Sequence, residues 1–278
     1  MQNFINYFEH LPTYLRALIL VSGLTIFWFI EGVQPLVLQQ YKKWKHAGVN
    51  IFFTLTTIIV NFGLAFLLLK ASNFTVTYKF GVWKWLQLKV NFINVFGMLL
   101  LLDLVGAYFV HWLQHKVKFM WQFHVIHHTD AFLDASSANR HHPGESVFRA
   151  IFTAIAILIT GAPFGIVVLY QSLSALLSQF NHANIKLPHW LNTMLSLVIV
   201  TPNMHRVHHH FKQPLTDTNY SNIFSLWDRL FGTFAIVKNP NEIVFGVDTY
   251  PAPNEHGSIK NLLTIPFKGY RKINNDNN

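Results

Sequence analysis

Residues 92–115 read FINVFGMLLLLDLVGAYFVHWLQH, an apolar run that ends in two histidines. The apolar part, Phe92 to Val110, is close to the ~20 residues that a helix needs to cross a bilayer. His111 begins one residue later and His115 follows at i+4, so both rings share one face of a helix. The stretch predicts a membrane-spanning helix that continues out of the bilayer and presents polar rings at its surface.

Three further apolar runs predict additional spans. They are Tyr14–Ile30, Val49–Leu69 and Val147–Phe180. The last run is broken by Gly161-Ala162-Pro163, and because glycine and proline interrupt helices, it predicts a hairpin of two short spans. The chain is 51% hydrophobic and 12% charged, whereas soluble domains average about a quarter charged. We therefore predict an all-α fold, a multi-pass transmembrane bundle of four or five spanning helices.

The other segments complete a single predicted domain that covers residues 1–278, with a motif core at 103–234. Leu191–Val200 is too short to cross, so we expect it to lie in the membrane interface or to re-enter. The segment from Lys70 to Lys89 is rich in aromatic residues and is expected in the interface too. The polar tail, 268–278, is expected to be disordered.

The basic residues indicate a membrane partner and an orientation. The formal charge is +9, but the lysines and arginines lie in short loops beside apolar runs, which favours anionic lipid headgroups over nucleic acid. Two lysine clusters share one side if the first three runs cross in turn. They are Lys42, Lys43 and Lys45, and Lys116 and Lys118. The positive-inside rule makes that side cytoplasmic, in a bacterial inner membrane or the endoplasmic reticulum, and places a helical cap with the histidines there.

Histidines gather just beyond the apolar runs and predict a metal centre. His-x-x-His-His occurs at 124–128 and again at 205–209, and positions i, i+3 and i+4 of a helix share one face, so each motif's rings can converge. The chain has no cysteine, so a metal must bind nitrogen or oxygen. The candidate ligands are His111, His115, His124, His127, His128, His182, His205, His208 and His209. They exceed what one ion takes and suit two ions with open coordination positions.

Imidazole alone does not decide the metal, because zinc, copper, iron and nickel all accept it. Two divalent ions among neutral rings leave about four positive charges, so carboxylates are expected behind the rings, each orienting one ring through its second nitrogen. The candidates for such supporting contacts are Asp130, Asp134, Arg140, His142, Glu145, Asp217 and Asp228. Asp103 lies inside an apolar run about two turns before His111, so we expect a polar partner or a place in the wall of a substrate tunnel.

Six other histidines are expected to play lesser roles. His141 and His210 adjoin the clusters in sequence and are expected to be neighbours of the centre. The isolated ones are expected in solvent or in the interface. They are His10, His46, His189 and His256.

The histidine motifs stand in an ordered series with other short motifs. The series runs His111-x-x-x-His115, His124-x-x-His127-His128, Asn139-Arg140-His141-His142-Pro143-Gly144-Glu145, Phe180-Asn181-His182, Thr201-Pro202-Asn203-Met204-His205-Arg206-Val207-His208-His209, Asn219-Tyr220 and Leu226-Trp227-Asp228-Arg229-Leu230-Phe231-Gly232-Thr233. From about His111 to Phe234, this order resembles the fatty acid hydroxylase superfamily, also called the sterol desaturase family. Trp112 departs from the pattern, since members usually have arginine after the first histidine.

The resemblance implies a membrane-embedded non-haem di-iron enzyme that uses oxygen and two electrons to hydroxylate or desaturate a lipid. It implies that the nine histidines bind two iron ions, which zinc can replace in purified protein. The sequence has no Gly-x-Gly-x-x-Gly motif, so we expect no bound nucleotide and an external electron donor, such as a ferredoxin or a b-type cytochrome with its reductase. Sterols, fatty acyl chains, alkylglycerol ethers, carotenoids and sphingoid lipids are all compatible substrates.

Two other functions fit parts of the pattern. A catalytically silent relative would keep the metal as a structural element. A histidine-rich metal transporter would place its ligands near the bilayer midplane, whereas these histidines start where the apolar runs stop. A zinc peptidase needs glutamate after the first histidine of His-Glu-x-x-His, and Trp112 and Val125 occupy that position here.

Overall fold

The computed structural model describes residues 1–271, and the regular elements of this part of the chain are all helices, with isolated bridges but no β-strand. The predicted all-α fold is confirmed. The α-helices are α1 Gln2–Glu9, α2 Thr13–Val33, α3 Lys43–Thr77, α4 Val82–Trp85, α5 Phe92–Asp103, α6 Val110–Lys116, α7 Lys118–His128, α8 Glu145–Thr160, α9 Phe164–His182, α10 His189–Ser196, α11 Pro202–His208, α12 Leu226–Leu230, α13 Pro253–His256 and α14 Ile259–Thr264. Most of the predicted tail, residues 272–278, lies outside the described residues.

Three helical segments of the described chain are long and apolar enough to cross a membrane. They are Thr13–Val33, Lys43–Trp85 and Phe92–Lys116. The apolar run after residue 147 forms the expected hairpin of α8 and α9, which pack on α3 and α2 respectively. It stays a prediction that α8 and α9 also cross the membrane, which would give four or five spans. α3 continues past Leu69 to Thr77, so the start of the expected interfacial segment is helix.

A π-helical segment, Leu104–Phe109, joins α5 to α6. A π-helical turn holds more residues than an α-helical turn, and one extra residue rotates everything after it by roughly 100° around the axis. The segment stands directly before His111 and His115 in the third candidate span. It therefore sets the direction in which these two rings leave the helix.

The hairpin turn is fixed against the end of α3 by two glycines. Gly161 ends α8 in the left-handed region at φ +78°, and Gly81 has φ +102°. A Cβ on Gly81 would lie 2.3 Å from the backbone nitrogen of Gly161, so only glycine permits this contact. Ser72 adds a hydrogen bond from its hydroxyl to the carbonyl oxygen of Ala162 at 2.9 Å. The turn predicted at Gly161-Ala162-Pro163 is confirmed.

Helix α7 lies between the bundle and the short helices of the second half. Its Val125 and Ile126 are buried in an apolar cluster with Phe53 of α3 and Leu262 of α14. The three histidines of α7 are buried as well. The C-terminal half of the helix, from Phe123 to His128, is consequently buried, which is unusual for a segment this rich in polar rings.

Candidate metal centre

The structure brings the nine candidate histidines together in two adjacent groups. Each ring offers one nitrogen, and within each group these nitrogens lie within 4.8 Å of one another. Site A consists of His111, His115, His124, His128 and His208. Site B consists of His127, His182, His205 and His209. The ring centroids of His128 and His209 are 4.8 Å apart, so the two sites share a boundary.

The two His-x-x-His-His motifs each contribute to both sites. α6 and α7 are joined by the single residue Val117 and pack together, which brings His111 of one helix next to His124 of the other. The first motif gives two rings to site A and one to site B, and the second motif gives one to site A and two to site B. His182 reaches site B from the end of α9.

Backbone carbonyls fix the tautomer of several rings. The Nδ1 atoms of His111 and His208 lie 2.7 Å from the carbonyl oxygens of Tyr220 and Thr218. In site B, His182 Nδ1 lies 2.7 Å from the carbonyl oxygen of Ser178. Because a carbonyl oxygen only accepts, Nδ1 carries the hydrogen in each ring, and Nε2 of the neutral ring is a lone pair.

Two carboxylates fix further rings in the same way. Glu145 Oε1 lies 3.1 Å from Nδ1 of His124, and Asp217 Oδ1 lies 3.2 Å from Nδ1 of His115. Burial raises the pKa of Asp217, but hydrogen bonds from His115 and Lys116 outweigh it and lower that pKa to about 2. Asp217 is therefore ionised and accepts only, which leaves the lone pair of His115 on Nε2.

Two of the fixed lone pairs point at one another, because His111 Nε2 and His124 Nε2 are 3.0 Å apart with no hydrogen between them. In site B, the fixed lone pair on His182 Nε2 lies 3.0 Å from Nε2 of both His127 and His205, whose Nδ1 atoms have no partner among residues 1–271. Two nitrogens bound to one ion at right angles, each at about 2.1 Å, are about 3.0 Å apart. Facing lone pairs repel unless a cation lies between them, so this donor set fits metal ions.

The protonation state of the rings also suits a metal. Burial is the main cause that lowers the pKa of His124 to about 3 and holds those of His127 and His128 well below the usual range. The same cause acts on His205 and His209 of the second motif. These rings are neutral near pH 7, which is the form that binds metal.

Comparison with known families identifies the chain at this point. A model described as "Fatty acid hydroxylase" matches residues 95–233, half of the 278-residue chain. The chain belongs to the fatty acid hydroxylase family. The match ends beside Thr233 and contains all nine histidines of sites A and B.

Curated relatives of this hydroxylase-family chain are named for lipid oxidation. It is 28% identical to ornithine lipid hydroxylase OlsE of Rhizobium tropici, over 51% of this chain and 42% of that protein. It is 30% identical to alkylglycerol monooxygenase of Danio rerio over 53% and 31%, and 30% identical to a cholesterol 25-hydroxylase-like protein of Danio rerio over 49% and 53%. The chain thus spans between 31% and 53% of the length of these relatives. No solved structure matches it.

Of the supporting residues expected in this family member, Glu145 and Asp217 touch candidate ligands. Glu145 also accepts from Nδ1 of His141 at 3.0 Å and from Nε of Arg149 at 2.9 Å. Asp228 acts one step away. It accepts from the backbone N–H of Tyr220 at 2.7 Å, and the carbonyl of that residue in turn holds His111.

The other expected supporting residues lie elsewhere, because their own partners hold them. Asp130 and Asp134 lie on either side of His46, at 2.7 and 3.2 Å. Arg140 donates to the carbonyl oxygen of Ile126 and to the side chains of Asn50 and Thr129, and so anchors the end of α7. None of these three side chains forms a hydrogen bond with any of the nine rings.

The side chains of His142 and Asp103 likewise form hydrogen bonds with groups outside the nine rings. His142 Nδ1 accepts from the backbone N–H of Gly144 at 3.0 Å. Asp103 is fully buried and accepts from the backbone N–H of Phe224 and the indole N–H of Trp227, both at 3.1 Å. Of the two alternatives for Asp103, the structure has the polar partner.

Two of the other histidines have defined roles. His46 was expected in solvent or the interface, which is wrong: its side chain is 8% exposed and bridges two aspartates. His141 was expected to be a neighbour of the centre, and it stacks on His127 with 4.2 Å between ring centroids and groups with His124 and Glu145.

A cavity of about 230 Å³ adjoins site B of this hydroxylase-family fold. Its wall includes His141, which stacks on His127, and Ser178, whose carbonyl holds His182. Most of the other wall residues come from α3, α8, α9 and the π-helical segment, and Ala138, Asn139 and Asn222 come from the segments between the α-helices. A small molecule in the cavity would therefore lie next to the histidine centre.

Proposed function

We propose that this chain is a membrane-bound, oxygen-dependent lipid hydroxylase that holds two iron ions in sites A and B. The observation that carries the proposal is the convergence of nine ring nitrogens in two adjacent groups, with five of the rings held by carbonyls or carboxylates so that Nε2 is the lone pair. Family membership and relatives named as lipid hydroxylases and monooxygenases support the reaction class. We also propose that residues 1–278 form one domain.

The overall reaction replaces a hydrogen on carbon by a hydroxyl group. Iron in these sites supplies oxygen binding and reduction, with two electrons and two protons taken up from outside. One oxygen atom forms the new carbon–oxygen bond after the carbon–hydrogen bond breaks, and the other leaves as water. Removal of two hydrogens, which gives an alkene, is the variant reaction that the same sites permit.

The chain's own residues would hold five of the nine ligand rings in place. Glu145 and Asp217 each accept from the outer nitrogen of a ring and thereby keep the inner lone pair directed at the metal. The rings of both sites are almost completely buried. Burial keeps bulk water away from the reacting atoms and raises the strength of every electrostatic contact.

The cavity beside site B distinguishes this proposal from its two rivals. A metal site that acts only as a structural element needs no open space next to it, whereas an enzyme needs room for its substrate. A transporter would place ligands midway through its spans. His111 and His115 instead stand in the last turns of the candidate span Phe92–Lys116.

We propose that electrons reach site A from a soluble carrier, a ferredoxin or a b-type cytochrome with its reductase. Trp121 supports this side, because its ring lies 4.8 Å from that of His115 and 5.4 Å from that of His128. It lines a surface depression with the exposed Lys116 and Lys118, whose charge suits an acidic protein. By the positive-inside rule this face is cytoplasmic.

The test combines metal analysis with lipid mass spectrometry. Protein purified without oxygen is expected to hold close to two irons per chain, and zinc is expected after aerobic overexpression. Cells that express the chain are expected to accumulate a lipid with one added oxygen, and cells with His124→Ala are not. Absence of iron from the anaerobic protein would overturn the proposal. Bound iron without donor-dependent oxygen consumption would favour the catalytically silent relative, in which the metal is only a structural element.

A further inference from the structure

The short helix α10 has an exposed apolar face, although it lies outside the three candidate spans. Trp190 and Met194 belong to this face, and Leu197 and Val198 continue it directly after the helix, at the i, i+4, i+7 and i+8 positions of one helical side. The four side chains are between 56% and 64% exposed. Exposed apolar side chains that cluster in this way mark a surface that contacts lipid or protein.

Helix α12 extends this apolar face. Three apolar side chains in α12 or directly after it are between 44% and 63% exposed, namely Leu226, Leu230 and Phe231. The end of α10 meets the start of α12, because Ser225 Oγ donates a hydrogen bond to the carbonyl oxygen of Ser196 at 2.7 Å. The exposed apolar side chains named for the two helices therefore form one surface, which we call the α10–α12 face.

Contacts with the third candidate span give the level of α12 relative to the bilayer. Asp103 of the span accepts from the backbone N–H of Phe224, just before α12, at 3.1 Å. Further along the span, the ring of Tyr108 stacks on that of Phe231 with 5.2 Å between centroids. The apolar run ends at Val110, so at about 1.5 Å per residue Tyr108 lies about 3 Å and Asp103 about 10 Å before that end. α12 therefore lies beside a part of the span that is within the bilayer.

The backbone where the two segments meet is hydrogen-bonded within the protein. Asp103, which is fully buried, accepts from the backbone N–H groups of Ile223 and Phe224 at 3.3 and 3.1 Å. The backbone N–H of Val200 donates to the carbonyl oxygen of Ile223 at 3.0 Å. Non-helical backbone is tolerated at membrane depth only where protein groups satisfy it. These bonds meet that condition, and they give the carboxylate inside the span a purpose.

The charges beside the α10–α12 face suit a surface of anionic lipid. Residues 184–216 and 229–241 include no aspartate or glutamate, whereas Lys186 and Arg229 are exposed. The guanidinium of Arg229 lies 3.9 Å from the centre of the Phe234 ring. Because long basic side chains lie along apolar surface while their charged ends reach the headgroups, Arg229 is compatible with a helix below headgroup level.

We propose that α10 and α12 form a re-entrant pair that dips into the leaflet next to the histidine centre, with the α10–α12 face against the acyl chains of anionic lipids. The pair is deepest where the end of α10 meets the start of α12, at the level of Asp103, and α12 rises again toward Tyr108. Of the two placements expected for Leu191–Val200, this is the re-entrant one. The placement does not depend on the reaction that the centre performs.

The buried side of α12 connects this lipid contact to site A. Asp228 on that side accepts from the backbone N–H of Tyr220, whose carbonyl oxygen holds His111. Lipid on one side of α12 and the support of a candidate ligand on the other are thus separated by a single helix of five residues.

Spin labels on single cysteines measure the depth, because the chain contains no cysteine of its own. Nanodiscs with anionic lipid hold a variant that carries one nitroxide, and the variants are Trp190→Cys, Leu197→Cys, Leu226→Cys and Leu230→Cys. Collision with oxygen, which concentrates in hydrocarbon, is compared with collision with a water-soluble nickel chelate. The controls are Ile59→Cys, at a 72% exposed position of the candidate span α3, and Asn241→Cys, in an exposed polar segment.

The oxygen-to-nickel collision ratio of Leu197→Cys and Leu226→Cys is expected to be close to that of Ile59→Cys and about fivefold or more above that of Asn241→Cys. Trp190→Cys and Leu230→Cys should give intermediate ratios. Two positions per helix keep the result decisive if one variant fails to fold. Ratios of Leu197→Cys and Leu226→Cys equal to that of Asn241→Cys, or the reverse order of depth, would overturn the proposal. Labels shielded from both reagents would also overturn it, because a second copy or another protein would then cover the face.

Discussion

Sites A and B lie side by side but are held differently. Four of the five rings of site A have their outer nitrogen tied to an oxygen acceptor, and only His128 does not. In site B only His182 is tied, while Nδ1 of His127, His205 and His209 has no partner among residues 1–271. Site A is therefore ordered by the protein, and site B depends more on the metal it would bind.

The two sites also face different surroundings. Site A lies beside Trp121 and the basic surface of Lys116. His141 borders the cavity, stacks on His127 of site B at 4.2 Å and shares Glu145 with His124 of site A. A firmly held site suits the receipt of electrons, and a site with fewer ligands next to the cavity suits contact with oxygen and substrate. The difference teaches that two similar sequence motifs can build unequal sites.

Removal of one ring from each site should give the largest effect and separate the two. His205→Ala leaves three nitrogens in site B, whereas His111→Ala leaves four in site A. Both are expected to lower activity more than about 100-fold. Elemental analysis should find close to one iron per chain in the first variant and nearly two in the second. His189→Ala, on an exposed residue of α10, is the control. Equal metal loss in both variants would show that the sites are equivalent.

Removal of a supporting carboxylate should give the next largest effect. Glu145→Gln releases His124 and also removes the partner of His141, so activity is expected to fall about 10- to 100-fold. Asp217→Asn affects only His115 of the centre, and a fall of about tenfold is expected. Chelator titration followed by activity measures both. A larger loss from Asp217→Asn than from Glu145→Gln would reverse the proposed order.

Stability of the metal-free protein should fall as the pH falls. Burial lowers the pKa of His124 to about 3 and holds the pKa values of His205 and His209 well below their usual value, so these rings stay neutral when folded. In the unfolded chain they protonate near pH 6.5. The unfolded state thus binds more protons from about pH 6.5 downward, which costs the fold about 1.4 kcal/mol per pH unit for each ring.

Thermal unfolding of chelator-treated protein in detergent checks this between about pH 8 and pH 5. The Tm should decrease toward acid, and His205→Ala, with one ring fewer, should show a shallower decrease. A Tm that rises toward acid would mean that the rings are already charged in the folded protein. Iron-loaded protein should resist the change down to lower pH, because protons must then displace the metal.

Asp228→Asn should give the smallest effect and should reach site A alone. Asp228 accepts from the backbone N–H groups of Tyr220 and Ser221, and an amide keeps only one of its two acceptor oxygens. We expect a loss of about 1 to 3 kcal/mol in stability and less than a tenfold fall in activity, because His111 is held only indirectly. Loss of the ion in site B would contradict the indirect link.

The identity of the nine rings was predictable, because helical spacing and the apolar runs before them are properties of neighbouring residues. Their division between two sites was not. His127 belongs to site B and His128 to site A because of where α9 and α11 pack. That packing is decided by contacts between residues far apart in the chain. The carbonyls of Tyr220, Thr218 and Ser178 had no sequence signal, since any residue carries a carbonyl.

Charged residues near the clusters were predicted less well. Proximity in sequence suggested that Asp130 and Asp134 would support the centre, but they turn to His46 on α3. That histidine is far away in the sequence and stands in no motif. Glu145 and Asp217 were expected correctly to lie beside candidate ligands, because each follows or precedes a histidine cluster within a short loop or helix start.

The π-helical turn at Leu104–Phe109 fixes the rotation of His111 and His115 relative to the apolar helix that precedes them. Deleting one residue there would restore ordinary winding and swing His111 and His115 by roughly 100° away from their partners. Insertion or deletion of a single residue in this turn would therefore destroy the histidine centre. Changes in bilayer thickness must be accommodated at the end of the span near Phe92, and not at the end that carries the histidines.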